Sequence, residues 1–498
     1  MESIDKNTQD YGMGRICGTL ASGLSAEDRR VYERGMIFLL VRAVKELYPD
    51  REVKIRHSVH FDIYFEIIGE SEILPAEIAL IEERMRSLAE GNIPFIRQNS
   101  VNTIPEPTSP ETFFYDFNGM TERSYGYLPP HSGCLTEISL IYRYPGAIMA
   151  MPRDREEKQR AEKYAAYQDV PRLLSVFAEY KNWGRILGIE NIGELNNAVA
   201  KGDAPDIIRV AEALQEKKIS QIADQITNAV ERKKIVMIAG PSSSGKTTFA
   251  NRLSIHLRVN GFMTKILSMD NYYLNREDAP VDKNGVSNLE CPEALDLELF
   301  SEQMKALIAG DVIDVPLYDF RNGRRDKRTL QISLREKQIL IVEGIHGLNP
   351  NVTAYIPKEY KHKIYISALT SLNIDDHNRI PTTDARLLRR IVRDNAFRGT
   401  KAAETIRMWQ SVRAGEEEYI FPYQEHCDSM FNSGLIYELG AMKETARALL
   451  IEIEKDEDVY AEAVRLYNFL GFFSEIKAND IPLNSILREF IGGGCFNV

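Results

Sequence analysis

Long apolar runs are absent from this sequence: no stretch approaches the roughly 18 to 20 residues that a membrane-spanning helix needs. The first residues, MESIDKNTQDYGMG, also lack the basic and then apolar order of a secretory signal. We therefore expect a cytoplasmic protein that makes no contact with a membrane.

Cysteine is scarce and scattered along the chain. The five cysteines form no CxxC pair, the usual signature of a zinc ribbon, and their spacing fits no disulfide framework. They are Cys17, Cys134, Cys291, Cys427 and Cys495. We expect all of them to be reduced thiols.

Basic charge is in deficit. The 62 lysines and arginines stand against 73 aspartates and glutamates, which leaves a formal net charge of −11. Proteins that bind nucleic acid broadly usually carry a basic footprint. The balance argues against such binding, although a local basic patch is compatible with it.

What the sequence does have is length and apolar content for several separate cores. With 498 residues, of which 44% are hydrophobic, we expect two to four domains. The patterns divide the chain into an α+β region (1–152), a helical connector (153–232), an α/β region (233–440) and a helical C-terminal region (441–498). In the third region, apolar runs such as IVMIA (235–239) and ILIVEG (339–344) alternate with helical stretches. This alternation predicts a parallel sheet covered by helices on both faces.

The clearest motif is G-x-x-x-x-G-K-[ST], filled by Gly240, Gly245, Lys246 and Thr247. The glycines allow a tight turn whose backbone N–H groups point inward, and the following helix adds the positive end of its dipole. Lys246 then reaches the terminal phosphates, and the Thr247 hydroxyl can hold Mg²⁺. We predict that ATP or GTP binds here, through Gly240, Pro241, Ser242, Ser243, Ser244, Gly245, Lys246, Thr247 and Thr248.

Two acidic residues end later apolar runs. Asp270 closes KILSMD, and Glu343 closes ILIVE. Ligands collect at the carboxyl ends of parallel strands. Asp270 is therefore a candidate base for an attacking hydroxyl, and Glu343 a candidate carboxylate for the magnesium shell. A turn or capping role for either residue remains an alternative.

An arginine-rich stretch, TDARLLRRIVRDNAFRG (383–399), has a helical pattern. Its arginines at positions i, i+3, i+4 and i+7 are predicted to form one positive face. They are Arg386, Arg389, Arg390 and Arg393, with Arg398 just beyond. Because Asp394 is the single acidic residue between Arg386 and Arg398, we interpret the arginine run as a phosphate-clamping lid rather than a solvated, salt-bridged surface.

The stretch from Lys233 to Leu439 resembles the uridine kinase/phosphoribulokinase group of P-loop kinases. Six segments occur in the order and spacing of that group: the phosphate loop, LSMDNYY, NLECPEALD (288–296), VPLYDF (315–320), IVEGIHGL and D-x-R-L-x-R-R-x-x-R-D (Asp384–Asp394). The resemblance implies an ATP- and Mg²⁺-dependent kinase.

The resemblance also implies roles for matching residues. Asp270 would be the general base for a nucleoside 5′-hydroxyl and a water-mediated partner of Mg²⁺, alongside Thr247 and Glu343. The implied substrate contacts are Tyr273, Glu290, Tyr318 and Arg390. The implied phosphate contacts are Arg393, as a catalytic residue, and Arg398, at ATP.

The sequence departs from the family where the acceptor is recognised. Glu290 replaces an aspartate that grips the ribose hydroxyls, and Cys291 replaces a histidine. The loop RNGRR has no base-contacting histidine, and Thr400 stands where an arginine is expected. The transfer machinery matches, whereas the identity of the acceptor's base stays open.

The front region, about residues 15–152, resembles the editing-type second additional domain of threonyl-tRNA synthetases. The similarity rests on segments such as RVYERGMIFLLVRAVKELYPD, HFDIYFEI and PPHSGCLTEISLIYRYPGAIMAMP. At the four positions of that domain's metal site stand Arg34, Phe38, Tyr127 and His131. One histidine cannot form a zinc site, so we expect neither metal nor hydrolysis there. A role in RNA binding, substrate delivery or regulation remains open, as does a purely structural one.

The whole arrangement resembles bacterial two-part nucleoside kinases, and the expected reaction is transfer of the γ-phosphate of ATP to a uridine- or cytidine-like hydroxyl. Two alternatives remain. The basic segment RNGRRDKR (321–328) would suit a sugar-phosphate acceptor, as in phosphoribulokinase. The front region would suit an NTP-driven, RNA-linked switch. A homo-oligomer is compatible with the sequence.

Overall fold

The structure, a computed structural model, describes residues 25–59, 62–98, 112–153, 170–228, 234–281, 288–319 and 322–496. These residues form two compact units. The first contains the described residues up to 153 together with Asn191–Gly193 and Leu372–Pro381. The second contains the rest.

The first unit combines two helices with two antiparallel sheets. Its helices are α1 (Ala26–Leu47) and α2 (Pro75–Glu90). Its strands are β1 (Glu52–Val59), β2 (Asp62–Ile68), β3 (Ile96–Gln98), β4 (Phe113–Phe117), β5 (Met120–Ser124), β6 (Leu140–Arg143) and β7 (Gly146–Met149). They pair in the orders β1-β2-β7-β6 and β3-β4-β5. This is the mixed α and β content that the sequence predicts for 1–152, and it does not by itself establish the synthetase resemblance.

Helix α1 has a capped N-terminus and apolar side chains that pack into the core of this unit. The Ser25 hydroxyl accepts the N–H of Asp28 at 3.1 Å, and the Asp28 carboxylate accepts the N–H of Ser25 at 3.2 Å, forming a capping box. Apolar side chains from Val31 to Val44 then enter a core shared with both sheets.

One segment of the first unit, Leu372–Pro381, comes from far along the chain. Its Asn373 amide donates to the carbonyl of Ile55 at 2.6 Å, and Arg379 pairs with Glu33 at 2.9 Å. The segment is therefore held in the first unit by contacts to both β1 and α1.

The second unit is built on a five-stranded sheet in the order β14-β13-β8-β12-β9, with all neighbouring strands parallel. The strands are β8 (Ile235–Ala239), β9 (Met263–Ser268), β12 (Gln338–Glu343), β13 (Lys361–Ser367) and β14 (Ser429–Asn432). All five residues of β8 are buried, so both faces of the sheet are covered at its centre. The predicted parallel sheet is confirmed.

Helices surround this sheet, and a two-stranded antiparallel ribbon accompanies it. The ribbon pairs β10 (Ile313–Asp319) with β11 (Arg324–Ile332). The helices are α3 (Pro171–Leu187), α4 (Ile192–Lys201), α5 (Ala204–Asn228), α6 (Lys246–Val259), α7 (Leu297–Ala309), α8 (Pro350–Thr353), α9 (Thr382–Arg393), α10 (Ala402–Tyr419), α11 (Glu438–Ile451), α12 (Tyr460–Leu470) and α13 (Arg488–Ile491).

Helices α3 and α5, from the stretch predicted as a connector, belong to the second unit. On α5, Glu212 faces Arg252 of α6 at 3.4 Å. The domain boundaries read from the sequence stay a prediction.

Among the cysteines that the structure describes, Cys291, Cys427 and Cys495 are free, whereas Cys134 is disulfide-bonded. The expectation that every cysteine is reduced is therefore wrong for Cys134. Spacing alone gave no sign of this bond, because a disulfide depends on which residues the fold brings together.

Across the described ranges, no helix has both the length and the apolar character needed to cross a membrane.

Candidate active site

The phosphate loop follows β8 and leads into α6, the strand, loop and helix order that the motif predicts. Gly240 has no room for a side chain, because a Cβ there would lie 2.0 Å from the carbonyl oxygen of Ile366. Gly245 has a φ of +79° and is the N-cap of α6. Both glycines are thus required by geometry, and the first turn of α6 opens onto the loop.

Lys246 lies against the loop that it serves. Its Nζ donates to the carbonyls of Gly240 at 3.1 Å and Pro241 at 3.2 Å. Burial lowers the pKa of Lys246, while the nearby carboxylates of Glu343 and Asp270 favour its charged form. The ammonium group is therefore close to both acidic residues predicted from the strand ends.

Those two residues lie at the ends of adjacent parallel strands. Glu343 is the last residue of β12 and is in register with Ser268, the last residue of β9. Asp270 follows in the short 3₁₀ turn Met269–Tyr272. The parallel pairing brings the two carboxyl groups to one edge of the sheet, as the sequence predicts.

Both carboxyl groups hold protons more tightly than usual. Burial, together with the Asp270 carboxylate, raises the pKa of Glu343 to about 7. Burial also raises the pKa of Asp270, whereas Lys246, Arg398 and Arg393 lower it. A buried negative site with cations around it is suited to chemistry on phosphate.

Three arginines share one carboxylate beside this site. Asp394 lies 3.2 Å from Arg390, 2.7 Å from Arg393 and 3.7 Å from Arg398. Arg390 also donates to the Ser242 hydroxyl in the phosphate loop at 2.9 Å. A group of arginines beside the phosphate loop is suited to bind phosphate oxygens.

The first two arginines of the run behave differently. Arg386 donates to the carbonyl of Ser242 at 2.9 Å and forms a buried ion pair with Glu416. Arg389 is fully buried, and its Nε donates to Glu438 at 3.2 Å. The prediction that all five arginines clamp phosphate is therefore wrong for these two, because acidic partners from α10 and α11 neutralise them.

On the acceptor side, the rings of Tyr273 and Tyr318 lie 5.6 Å apart at 55°. The Tyr273 hydroxyl donates to the carbonyl of Leu289 at 3.2 Å, next to Glu290. Burial raises the pKa of Glu290 to about 7, and Arg390 opposes this shift. Tyr273, Tyr318 and Glu290 thus lie near one another, and Arg390 is close enough to influence the Glu290 carboxyl.

Two carboxylates that the sequence analysis did not single out contact the phosphate loop. Glu416 accepts the N–H of Ser242 at 3.2 Å. Glu489, near the C-terminus, accepts the N–H of Thr248 at 3.1 Å and its hydroxyl at 2.9 Å. No local pattern marks either residue, because each acts on a loop that is 174 or 241 residues away in the sequence.

In the first unit, two of the four positions aligned with the synthetase metal site are in contact. The Arg34 guanidinium donates to the carbonyl of Tyr127 at 2.9 Å. His131 lies 3.8 Å from the sulfur of Cys134. Within the described part of the whole chain, no group of three or more His, Cys, Asp or Glu side chains could hold a metal ion.

Comparison with known proteins decides the family. Residues 235–437 match the model described as the Phosphoribulokinase / Uridine kinase family. Uridine kinase from Macrococcus caseolyticus (strain JCSC5402) is 31% identical over 202 residues, which span 40% of this chain and 88% of that relative. The chain belongs to the phosphoribulokinase/uridine kinase family. Uridine kinase from Staphylococcus aureus (strain JH9) is likewise 31% identical, over 201 residues that span 40% of this chain and 87% of the relative.

Two solved kinase structures are similar to part of this chain. A protein assigned as a fructose transport system kinase, from Silicibacter sp. TM1040, is 19% identical at a TM-score of 0.32 and covers 43% of this chain and 98% of its own. D-glycerate 3-kinase from Cryptococcus neoformans is 14% identical at a TM-score of 0.31, covering 40% of this chain and 87% of its own. The match to the family model, residues 235–437, lies outside residues 15–152, so the synthetase resemblance receives no support from it and stays a prediction.

Proposed function

We propose that this kinase transfers the γ-phosphate of ATP to a hydroxyl group of a nucleoside-like acceptor. The observation that carries the proposal is the convergence of Lys246, Arg393 and Arg398 on the buried carboxyl of Asp270. A general base must reach the acceptor proton while cations stabilise the transferring phosphoryl group, and this arrangement provides both at one place.

In the proposed reaction, Asp270 accepts the proton of the acceptor hydroxyl. The hydroxyl oxygen forms a bond to the γ-phosphorus as the bond from that phosphorus to the β,γ-bridging oxygen breaks, and ADP leaves. Lys246 turns from the loop carbonyls to the phosphates, while Arg393 and Arg398 balance the charge on the transferring group. These same cations oppose the rise in the pKa of Asp270 that burial causes, and so they favour the ionised base.

The residues present fit a magnesium ion. Thr247 offers a hydroxyl, and Glu343 offers a carboxylate whose pKa is raised by burial and by the nearby Asp270, a repulsion that a divalent cation would relieve. Magnesium is commonly held by one or two carboxylates, with phosphates and waters completing its shell. When bound, it neutralises phosphate oxygens and orients them for transfer.

A nucleoside-like acceptor is favoured by the ring pair Tyr273 and Tyr318 and by the nearby carboxyl of Glu290, which suits hydroxyl groups. The sugar-phosphate alternative has less support. Arg325 is already bound to Asp296 at 3.0 Å, and Arg328 to Asp326 at 2.6 Å, so these two arginines of the basic segment serve the protein's own acidic groups.

The test is to incubate the full-length protein with Mg-ATP and a panel of nucleosides and sugar phosphates, measuring ADP release and identifying the product by mass. We expect a nucleoside monophosphate. The variant Asp270→Asn should lower the transfer rate by about 10²- to 10⁴-fold, whereas the exposed Asp311→Asn should leave it unchanged.

Other outcomes would redirect the assignment. Full activity in Asp270→Asn would show that the assigned base is wrong. Phosphorylation of sugar phosphates alone would favour the phosphoribulokinase-type reaction. ADP release without any phosphorylated acceptor, stimulated by added RNA at low salt, would favour the RNA-linked switch.

A further inference from the structure

The C-terminal segment Ile481–Ile491 is packed into the second unit rather than extended from it. The side chains of Ser485, Ile486, Leu487 and Phe490 are fully buried, and Glu489 is 7% exposed. Arg488 fixes the segment by donating to the carbonyls of Ala478 at 2.8 Å and Ile481 at 2.6 Å.

This segment contacts the phosphate loop at two points. The Cγ2 atom of Ile486 lies so close to Gly245 that a Cβ at the glycine would be 2.4 Å from it. One oxygen of Glu489 accepts both the backbone N–H and the hydroxyl of Thr248, at 3.1 and 2.9 Å. The segment also places the Phe490 ring 4.8 Å from the guanidinium of Arg389, the arginine whose Nη1 donates toward the carbonyl of Ser243 in the same loop.

Thr248 is the third residue of α6. The first N–H groups of a helix have no acceptor within the helix, and in a glycine-rich phosphate loop they are the donors that hold the nucleotide's inner phosphates. Glu489 is therefore an anion bound at donors suited to a phosphate. A phosphate group and a carboxylate repel each other and cannot both accept from the same N–H and hydroxyl at full strength.

We propose that the segment Ile481–Ile491 is an autoinhibitory plug, in which the Glu489 carboxylate occupies the phosphate donors of Thr248 and leaves when a nucleoside triphosphate binds. This proposal rests on the proposed function, since it takes the loop to be a nucleotide site. Because the plug is part of the same chain, its local concentration is high and independent of protein concentration. Nucleotide affinity is then reduced by the fraction of molecules in which the plug is seated, and binding must in turn release the plug.

The first experiment measures the affinity for Mg-ATP of the full-length protein and of Glu489→Gln by titration calorimetry. The substitution preserves shape and removes the charge, so it should keep the fold and weaken the seated state. We expect the dissociation constant to fall about tenfold. The matched control, Glu475→Gln, removes an exposed carboxylate from the same end of the chain and should not change affinity.

The second measurement follows amide hydrogen exchange of the unmodified protein with and without Mg-ATP. The plug predicts faster exchange in residues 481–491 and slower exchange at the start of α6 when nucleotide binds. A second variant, Arg488→Ala, loosens the segment while retaining Glu489 and should also tighten nucleotide binding.

The opposite results would contradict the proposal that this segment is an autoinhibitory plug. Weaker or unchanged binding in Glu489→Gln, or slower exchange in 481–491 on adding Mg-ATP, would mean that Glu489 is a fixed part of the nucleotide site. Failure of the proposed function would look different: neither the unmodified protein nor Glu489→Gln would bind Mg-ATP, and Lys246→Met would behave like both.

Discussion

The two halves of the arginine-rich stretch in and after α9 differ in how their charges are balanced. In the first half, Arg386 and Arg389 each have a buried carboxylate, Glu416 and Glu438 respectively. In the second half, three arginines converge on the single carboxylate of Asp394. The stretch thus begins with two buried arginine–glutamate ion pairs and ends with three arginines that share Asp394.

The difference separates two tasks that a run of arginines can perform. A buried ion pair fixes geometry, and here Arg386 and Glu416 bind the carbonyl and the N–H of Ser242 in the phosphate loop. A group of cations around one carboxylate is suited to attract an anionic ligand. The partners of each arginine, rather than the number of arginines, therefore indicate which of them hold the loop in place and which surround one shared carboxylate.

The largest effect on stability should come from breaking a neutral pair. Arg389→Met would leave Glu438 buried without its cation, and we expect a loss of about 3 to 5 kcal/mol in the free energy of unfolding, measured with denaturant. The double variant with Glu438→Gln should recover part of that loss. A change below about 1 kcal/mol in the single variant would contradict the distinction between the two halves.

The next effect should appear in catalysis rather than in folding. Arg393→Met removes one of three cations that share Asp394, so the folded state should change little, while the rate of phosphoryl transfer should fall by about 10²- to 10³-fold. The measurement is kcat with Mg-ATP and the acceptor that the panel assay identifies. Arg407→Met on α10, whose partners Glu457 and Asp458 lie away from the loop, serves as the control and should retain the full rate.

The smallest effect should be a pH dependence of folding stability. It comes from Glu290, on the acceptor side of the site, whose carboxyl is influenced by Arg390. The pKa of Glu290 is raised to about 7 in the folded protein, so between its ordinary value near 4.5 and 7 the folded state holds a proton that the unfolded chain has lost. This contribution makes stability fall as the pH rises through that range.

Removing the titrating group should remove that dependence. Glu290→Gln should be more stable relative to the unmodified protein at pH 8 than at pH 5, by on the order of 1 to 3 kcal/mol. Denaturation of both proteins at the two pH values measures it. An equal difference at both pH values would show that Glu290 is ionised normally in the folded state.

Much of the site follows from local sequence. The apolar run IVMIA coincides with β8, and the rule for parallel strands places Asp270 and Glu343 at one edge of the sheet. These predictions succeed because they depend on residues close together in the chain and on a topology that alternating strands and helices impose.

What the sequence could not reveal is pairing across long separations. Glu416, Glu438 and Glu489 lie on elements whose approach to the loop or to α9 is fixed only by the complete fold. Without them, Arg386 and Arg389 look the same as Arg390 and Arg393 in a helical pattern. The ribbon of β10 and β11 was also missed, because its exposed second strand, RRDKRTLQI, lacks clear alternation of polar and apolar residues.

The segment Leu372–Pro381 constrains where the chain can be shortened. It is encoded between β13 and α9, yet Asn373 binds Ile55 and Arg379 binds Glu33. A shortened clone that begins near residue 233 would deprive this segment of those partners while keeping every motif of the family. We expect this segment to lose its position in such a fragment. Any rearrangement of the coding sequence would therefore have to keep Asn373 together with Ile55 and Arg379 together with Glu33.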